Sequence, residues 1–200
     1  MKKLLLLVAF TCFISISSYS QFYGSFCYDC YTSIEVGGIS SNISGLDKSS
    51  AKTGFYLGFL VYTEISDSFA IRTGTTYNSL GAHIEGYDEP LQLHSINFPL
   101  GLNYIKDYKY QAFVGGELGT NYFGTDPRLE NADSFYDSFE IQDNITLFDA
   151  SIYFGVGYII ADNIDINLKY NLGVTNISKY PEQNLKKNWL TLSAAYTFRY

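Results

Sequence analysis

The chain has 200 residues and a formal net charge of −7, with 13 basic against 20 acidic residues. An acidic chain argues against nucleic acid as a partner, because binding of phosphate groups needs a basic surface. After position 20 no apolar run approaches the roughly 18 residues that a transmembrane helix needs, which excludes a helical membrane protein.

The N-terminus has the pattern of a secretory signal peptide. Two lysines precede an apolar stretch over 4–16, which is too short to span a membrane. Ser18 and Ser20 are small residues at the positions that favour cleavage after Ser20. We therefore predict a signal peptide over 1–20, followed by a short N-terminal segment over 21–30.

Two cysteines remain in the predicted mature chain, Cys27 and Cys30. A disulfide between them is allowed in an oxidising periplasm, and free thiols are the main alternative. A zinc site is a weaker interpretation, because zinc needs two further ligands and no suitable pair lies near in sequence.

Alternation of apolar and polar residues predicts eight β-strands separated by turn residues. In the clearest inner segment, apolar side chains from Ile164 to Val174 alternate with polar or small ones from Asp165 to Thr175. The eight predicted segments are 31–42, 52–65, 69–82, 91–105, 109–123, 145–160, 164–177 and 189–200.

Two of these predicted strands contain irregular positions. Gly37 and Gly38 obscure the phase of the first strand. Pro99 lies inside the fourth strand and has no backbone N–H to donate to a neighbour, so we expect a local bulge or weak pairing there.

The last predicted strand ends in an apolar stripe. Tyr196, Phe198 and Tyr200 share one face and alternate with polar residues. A soluble edge strand rarely ends in such a bare stripe, whereas lipid covers that face in a membrane barrel. We expect this strand to engage the barrel-assembly machinery, and the outer face of the barrel to contact outer-membrane lipid.

The predicted connections fall into two length classes that alternate along the chain. The short ones are 66–68, 106–108 and 161–163, and the longer ones are 43–51, 83–90, 124–144 and 178–188. Outer-membrane barrels have short turns on the periplasmic side and longer loops outside. We therefore predict that both chain ends lie in the periplasm, which requires an even number of strands.

The short turns also predict how the strands pair, because opposed residues of an antiparallel pair face the same side. The predicted opposed pairs are Ile65 with Phe69, Ile105 with Lys109, and Ile160 with Ile164. Tyr104 then opposes Tyr110. Asn163 is the one obvious residue in these turns for a left-handed backbone position.

Together these features predict an all-β fold, an eight-stranded antiparallel up-and-down transmembrane β-barrel over 31–200 that follows an N-terminal signal peptide. The aromatic content of 18%, mostly tyrosine and phenylalanine, suits such a barrel, because aromatic side chains lie at its two membrane interfaces.

Five stretches carry a resemblance to a known family. They are "FYLGFLVYTEISDSFAIRTGTTYNSLG", "INFPLGLNY", "AFVGGELGTNYFG", "YFGVGYII" and "INLKYNLGVTNI", and the aromatic C-terminus follows them. Their order resembles the small outer-membrane β-barrel family that includes PorT-type proteins, although "INFPLGLNY" departs from the "IPLL"-type stretch that is usual there. The resemblance implies a Gram-negative outer-membrane location, no shared catalytic motif and no cofactor.

The phase of the predicted strands turns several charged residues toward the barrel interior. This predicted interior cluster comprises Glu64, Arg72, Glu117, Asp149, Asp165, Lys169 and Arg199. An eight-stranded barrel is filled by side chains, so we expect these charges to pair with one another. A narrow proton or ion path is the alternative.

The two histidines are candidates for chemistry. His83 and His94 flank an acidic loop over 85–89, and a metal site at the rim would need such ligands. A hydrolase that acts on lipid would instead combine a histidine with Ser79 or Ser95. Neither arrangement has a recognisable spacing, so we expect solvated histidines at the rim and no metal.

The predicted loop 124–144 is acidic and contains three aromatic residues, Phe135, Tyr136 and Phe139, which would share one face of a short helix. It is interpreted as a lid over the barrel mouth or as a surface for an unknown protein partner, with weak Ca²⁺ binding as a further alternative. The sequence thus predicts a non-enzymatic barrel with a structural or docking role, and a lipid-modifying hydrolase or a small ion-conducting pore as alternatives.

Overall fold

The computed structural model of the chain describes residues 30–46, 48–127, 144–180 and 182–198. Within these residues, eight antiparallel strands form one closed barrel in which neighbours in sequence are neighbours in space and the last strand closes on the first. The strands are β1 (Cys30–Ser44), β2 (Ser49–Ser66), β3 (Phe69–Ile84), β4 (Leu91–Lys106), β5 (Tyr110–Thr125), β6 (Phe148–Ala161), β7 (Ile164–Gly173) and β8 (Lys186–Phe198).

The predicted fold class is confirmed, with an up-and-down order and a closed sheet. The predicted signal peptide over 1–20 and most of the segment over 21–30 lie outside the described residues, and so does Cys27. Cys30, at the start of β1, is disulfide-bonded. In the part of the chain that the structure describes, no helix has the length and apolar character needed to cross a membrane.

The strand ends differ from the prediction mainly at one end of the barrel. β6 begins at Phe148 and β7 ends at Gly173, although the alternation extended to Ile145 and Ile177. These two isoleucines leave the sheet because they fold over the barrel end and join a buried apolar cluster. β8 begins earlier than predicted, at Lys186.

The connections alternate in length as predicted. At one end, β2–β3, β4–β5 and β6–β7 are joined by the turns 67–68, 107–109 and 162–163, and we call this the turn end. At the other end, which we call the loop end, the connections are 45–48, 85–90, 126–147 and 174–185. The first of these four is shorter than expected, because β1 and β2 extend to Ser44 and Ser49.

Two of the three predicted registers are confirmed. Glu64 pairs with Ala70, and Ile159 pairs with Asp165, which are the registers predicted from those two turns. Each ladder has an irregularity next to its turn, at Ile65 and at Ile160, so these residues do not pair as predicted. Bulges of this kind increase the local twist and leave the register beyond them intact.

The prediction for the β4–β5 turn is wrong. Lys106 pairs with Tyr110, so Tyr104 lies opposite Ala112 and not opposite Tyr110. The chain reverses over 107–109 because Asp107 and Tyr108 both adopt left-handed conformations, with φ of 55° and 51°. Asn163, which the sequence favoured for that conformation, is not in the left-handed region.

Pro99 weakens one ladder, as expected, but causes no bulge. Between β3 and β4, Thr73 pairs with Leu100 and Thr76 with Asn97, and the residues between them are unpaired. The register is the same on both sides of this gap. On its other side, Pro99 stays in register with Glu117.

The outer face of the barrel is apolar and carries two rows of aromatic side chains. Near the turn end, the exposed aromatic residues are Phe69, Tyr104, Tyr110, Tyr158 and Tyr196. Near the loop end, they include Phe55, Tyr122, Phe123 and Phe148. Two aromatic rows that flank an apolar band are the pattern of a barrel in a bilayer.

The alternation along β7 predicts a labelling pattern. In a folded barrel in lipid vesicles, a maleimide dissolved in the lipid phase should modify Leu168→Cys and Leu172→Cys, because these positions face outward. Asn171→Cys should stay unmodified, because Asn171 is fully buried inside. Equal labelling at 171 and 172 would contradict the register, since a slip by one residue exchanges the two faces.

Candidate functional site

The structure distributes the predicted interior cluster between the core and the rim. Five of its residues are buried on the inner face: Arg72, Glu117, Asp149, Asp165 and Lys169. Glu64 has the inward phase of β2 but lies next to the 67–68 turn and is exposed. Arg199 lies outside the described residues.

The first interior group centres on Glu35, which the sequence reading did not select. Its carboxylate lies 3.3 Å from the Arg72 guanidinium, and both side chains are 1% exposed. The Tyr56 hydroxyl donates to Glu35 at 2.9 Å, and the Asn167 side-chain amide donates at 3.2 Å. Arg72 Nε donates to the Tyr62 hydroxyl at 3.2 Å. Three further strands thus converge on one carboxylate from β1.

The second group pairs Lys169 with Glu117 at 2.7 Å. The Asn97 side-chain amide donates to the other carboxylate oxygen at 3.0 Å. The Lys169 ammonium also lies 5.0 Å from the Tyr56 ring centre and 5.5 Å from that of Tyr153. The buried ammonium thus has a carboxylate and the faces of two tyrosine rings as favourable partners.

The third group is nearest the loop end and joins Lys187 to Asp149 at 2.6 Å. Asn121 completes it, because its side-chain oxygen accepts from Lys187 at 2.9 Å and its amide donates to Asp149 at 2.9 Å. The sequence placed Lys187 in a loop, so this cation was missed. Trp189 faces the interior, so extending the alternation of β8 backward by two residues would have predicted that Lys187 also faces inward.

Two apolar clusters occupy the interior, one near each end. At the turn end, the cluster comprises Tyr31, Leu60, Tyr62 and Ala70, and the rings of Tyr31 and Tyr62 stack at 4.8 Å. At the loop end, a larger cluster packs around Trp189, which is 1% exposed. Ile145, Ile177 and Leu185 belong to this loop-end cluster although they lie outside the strands.

The loop-end connections are held by a dense set of hydrogen bonds. The Asn176 side-chain oxygen accepts from the backbone N–H groups of Ser178 and Leu185, at 3.0 and 2.8 Å. The Thr146 N–H donates to the Ile177 carbonyl, and the Tyr180 hydroxyl donates to the Asn144 side chain at 2.7 Å. Residues 144–147, 174–180 and 182–185 thus form one hydrogen-bonded platform at the barrel mouth, which we call the loop platform.

The histidine candidates do not form a catalytic set. His94 lies on the outer face, where Nδ1 bonds the Tyr77 hydroxyl at 2.5 Å and the ring stacks on Phe123 at 4.5 Å. Ser79 lies opposite His94 in the ladder, whereas Ser95 is buried in the interior, so only Ser79 shares its face. Among the described residues, no carboxylate hydrogen-bonds to His94, and no group of three or more His, Cys, Asp or Glu side chains is placed to hold a metal.

The central ion pair leads to a stability prediction. Glu117→Gln should lower the free energy of unfolding by about 3–5 kcal/mol, because it leaves a buried ammonium unpaired. Glu117→Gln combined with Lys169→Met should cost much less than Glu117→Gln alone. Denaturant unfolding in lipid vesicles checks this, and Lys48→Ala, in an exposed pair 3.4 Å from Glu85, is the control with a cost below about 1 kcal/mol. Equal costs for the single and double variants would contradict a coupled pair.

The comparisons with known proteins agree with this geometry. The family profile described as "Outer membrane protein beta-barrel domain" matches residues 19–179. No curated protein sequence matches the chain. The narrower resemblance to PorT-type proteins stays a prediction.

Two solved structures show the same fold at low sequence identity. The attachment invasion locus protein Ail of Yersinia pestis is 14% identical, with a TM-score of 0.51 over 85% of this chain and 99% of that one. Neisserial surface protein A is 16% identical, with a TM-score of 0.51 over 84% of this chain and 97% of that one. The chain is therefore a member of the outer membrane protein β-barrel family, and its barrel lies in the bacterial outer membrane.

Proposed function

We propose that the protein is a non-enzymatic outer-membrane barrel that presents a docking surface at its loop end, outside the cell. The observation that carries this proposal is the contrast between the barrel's interior and its loop end. Three buried ion pairs and two apolar clusters occupy the interior, whereas the connections at the loop end are hydrogen-bonded into a platform. Proteins that bind a partner commonly do so through loops held in place by a rigid scaffold, and the loop end of this barrel has that arrangement.

The interior argues against the pore alternative. A conducting path would have to pass three buried ion pairs among the described residues, Glu35–Arg72, Glu117–Lys169 and Asp149–Lys187. It would also have to pass the buried apolar clusters near the two ends. Eight-stranded barrels of this kind are packed cores, and the packing here is closed by aromatic and aliphatic side chains.

The outer face argues against the hydrolase alternative. A serine hydrolase needs a base beside the nucleophile and a third group that orients the base. His94 Nδ1 is bonded to Tyr77, and a tyrosine hydroxyl does not supply the negative charge of a carboxylate. His94 therefore lacks the orienting partner that would make it a base toward Ser79, and its stacking on Phe123 suits a residue of the aromatic row.

The loop platform supports docking because it is preorganised. Asn176, Asn144 and Tyr180 hold the backbone of two connections together, so little conformational entropy is lost when a partner binds. Tyr87 and Tyr180 are each 45% exposed at this end and offer rigid aromatic contact area. The predicted partner residues Phe135, Tyr136 and Phe139 lie outside the described residues and remain part of the proposal.

The proposed orientation predicts a protease pattern. Protease added to whole cells should cut within 124–144 and spare the turns 67–68 and 162–163, because only the loop end is outside. Protease added to the periplasmic side of opened cells should have access to the turn end. Cleavage at the turns in intact cells would reverse the orientation and remove the basis for an external docking surface.

Docking itself is tested by photo-crosslinking in intact cells. A photoreactive phenylalanine analogue at Tyr87 should form an adduct of defined mass, whereas the same analogue at Tyr108, 70% exposed at the turn end, should not form that adduct. Combined Phe135→Ala, Tyr136→Ala and Phe139→Ala should reduce the Tyr87 adduct at least tenfold, because buried aromatic side chains dominate binding energy. An adduct that is absent, or unaffected by the triple change, would count against this docking surface.

A further inference from the structure

A groove crosses the lipid-facing surface of β4 to β8. Its volume is about 540 Å³, and nearly all of its surface is apolar. Two rows of outward side chains run across the strands and form it. One row is Leu102, Val114, Phe154, Tyr170 and Leu190, and the other is Tyr104, Ala112, Val156 and Leu168. The lining residues are Leu102, Tyr104, Ala112, Phe113, Val114, Phe154, Gly155, Val156, Leu168, Tyr170 and Leu190.

The groove exists because one outward position has only a methyl group. Ala112 lies between Tyr104 and Val156, its partners in the two flanking ladders. The neighbouring outward positions carry large side chains, of which Val114 and Val156 are each 58% exposed. Gly155 also lines the groove, but the space beside its Cα on the inner face is filled by the buried Phe113 ring, so the missing outward volume is that of Ala112.

The groove rises from the turn end toward the middle of the barrel. Leu102 is four residues from Lys106, the last residue of β4 before the turn, whereas Leu190 is eight residues from Phe198 at the same end of β8. At about 3.3 Å per residue, the β8 end of the groove lies deeper in the membrane than the β4 end. The β4 end is therefore the one that opens toward the membrane surface.

Two cations lie at this shallow end. Lys106 and Lys109 are both exposed, and Lys106 follows Tyr104 on the outward face of β4. The turn 107–109 is fixed by the Lys109 N–H, which donates to the Lys106 carbonyl at 3.1 Å. All three turns at this end contain an aspartate, Asp67, Asp107 and Asp162, but lysines accompany only Asp107.

We propose that this groove binds one acyl chain of a phospholipid from the periplasmic leaflet, whose phosphate contacts Lys106 and Lys109. The inference rests on the orientation proposed above, which places the turn end in the periplasm. The apolar groove accepts the hydrocarbon chain, and the two ammonium groups lie where the phosphate of that lipid emerges. Cations near an anionic lipid surface strengthen binding, and the turn end has its turn lysines only at this groove.

The groove half of the proposal is tested with purified full-length protein in lipid nanodiscs. Phosphatidylglycerol carrying a spin label near the end of one acyl chain reports the motionally restricted lipid fraction. Ala112→Leu fills the groove and should remove most of the tightly held fraction. Ala194→Leu is the matched control, because Ala194 is an exposed alanine of β8 outside the groove and should leave that fraction unchanged.

The charge half is tested with the same probe. Lys106→Gln and Lys109→Gln should each weaken the association of phosphatidylglycerol about fivefold. Lys48→Gln with Lys186→Gln, at the loop end, should have no effect. Diacylglycerol with the same labelled chain should bind the unchanged protein as weakly as phosphatidylglycerol binds the doubly substituted Lys106 and Lys109 variant.

Three outcomes would overturn the proposal. Unchanged lipid restriction in both Ala112→Leu and the lysine variants would remove the site, and equal binding of diacylglycerol would remove the phosphate contact. A dimer that Ala112→Leu converts to monomer, with lipid binding unaffected, would make the groove a contact between two copies. Heat-modifiable migration verifies folding, and Leu168→Phe fills the groove from the opposite side if Ala112→Leu does not fold. None of these measurements depends on the loop platform. Failure of the crosslinking test for docking would therefore not affect the conclusion about the lipid groove.

Discussion

A charge buried in this barrel is costly unless an opposite charge or hydrogen-bond donors and acceptors meet it, because neither lipid outside nor a packed interior can solvate it. The three ion pairs described above meet this constraint in one way. Glu35 and Arg72 join β1 to β3, Glu117 and Lys169 join β5 to β7, and Asp149 and Lys187 join β6 to β8. Each pair spans an intervening strand, so the pairs tie together strands that share no backbone hydrogen bonds.

This arrangement links the interior to the register of the whole sheet. A slip by one residue in any charged strand would separate its pair and turn a charge toward lipid, at a cost of up to about 2–4 kcal/mol near the bilayer centre. The bulges next to the 67–68 and 162–163 turns show how local irregularity is absorbed without such a slip. The same alternation leaves the outer face free to vary, and there a single small residue, Ala112, creates a groove.

Much of this fold could be predicted from periodicity, because lipid and core impose opposite chemistry on alternate residues. The wrong or missing predictions concern positions where the alternation of apolar and polar side chains is interrupted or has another cause. Glu35 was missed because Gly37 and Gly38 carry no side chain to reveal the phase of β1. Lys187 was missed because the predicted alternation of β8 begins only at Trp189. Ile145 and Ile177 were placed in strands because burial in the loop-end cluster leaves the same apolar pattern as burial in a sheet.

The candidate functional surfaces were harder to predict than the fold. The turn at Asp107 and Tyr108 contains no glycine or asparagine from which its left-handed conformation could be predicted. It nevertheless sets the register that places Ala112 beside Tyr104. The platform depends on the Asn176 side chain, which bonds the backbone of Gln183 and Leu185, seven and nine residues later in the same connection. Such contacts depend on the exact path of the connection, which alternation of apolar and polar residues does not predict.

The central claim is that the barrel interior is a sealed, charge-paired core, so that function belongs to its outer surfaces. Conductance in planar bilayers tests this claim most directly. The unchanged protein should insert without producing single-channel steps, and Trp189→Ala, which removes the largest side chain of the loop-end cluster, should produce a measurable leak. Steady channel steps from the unchanged protein, with no increase in the Trp189 variant, would contradict the sealed core.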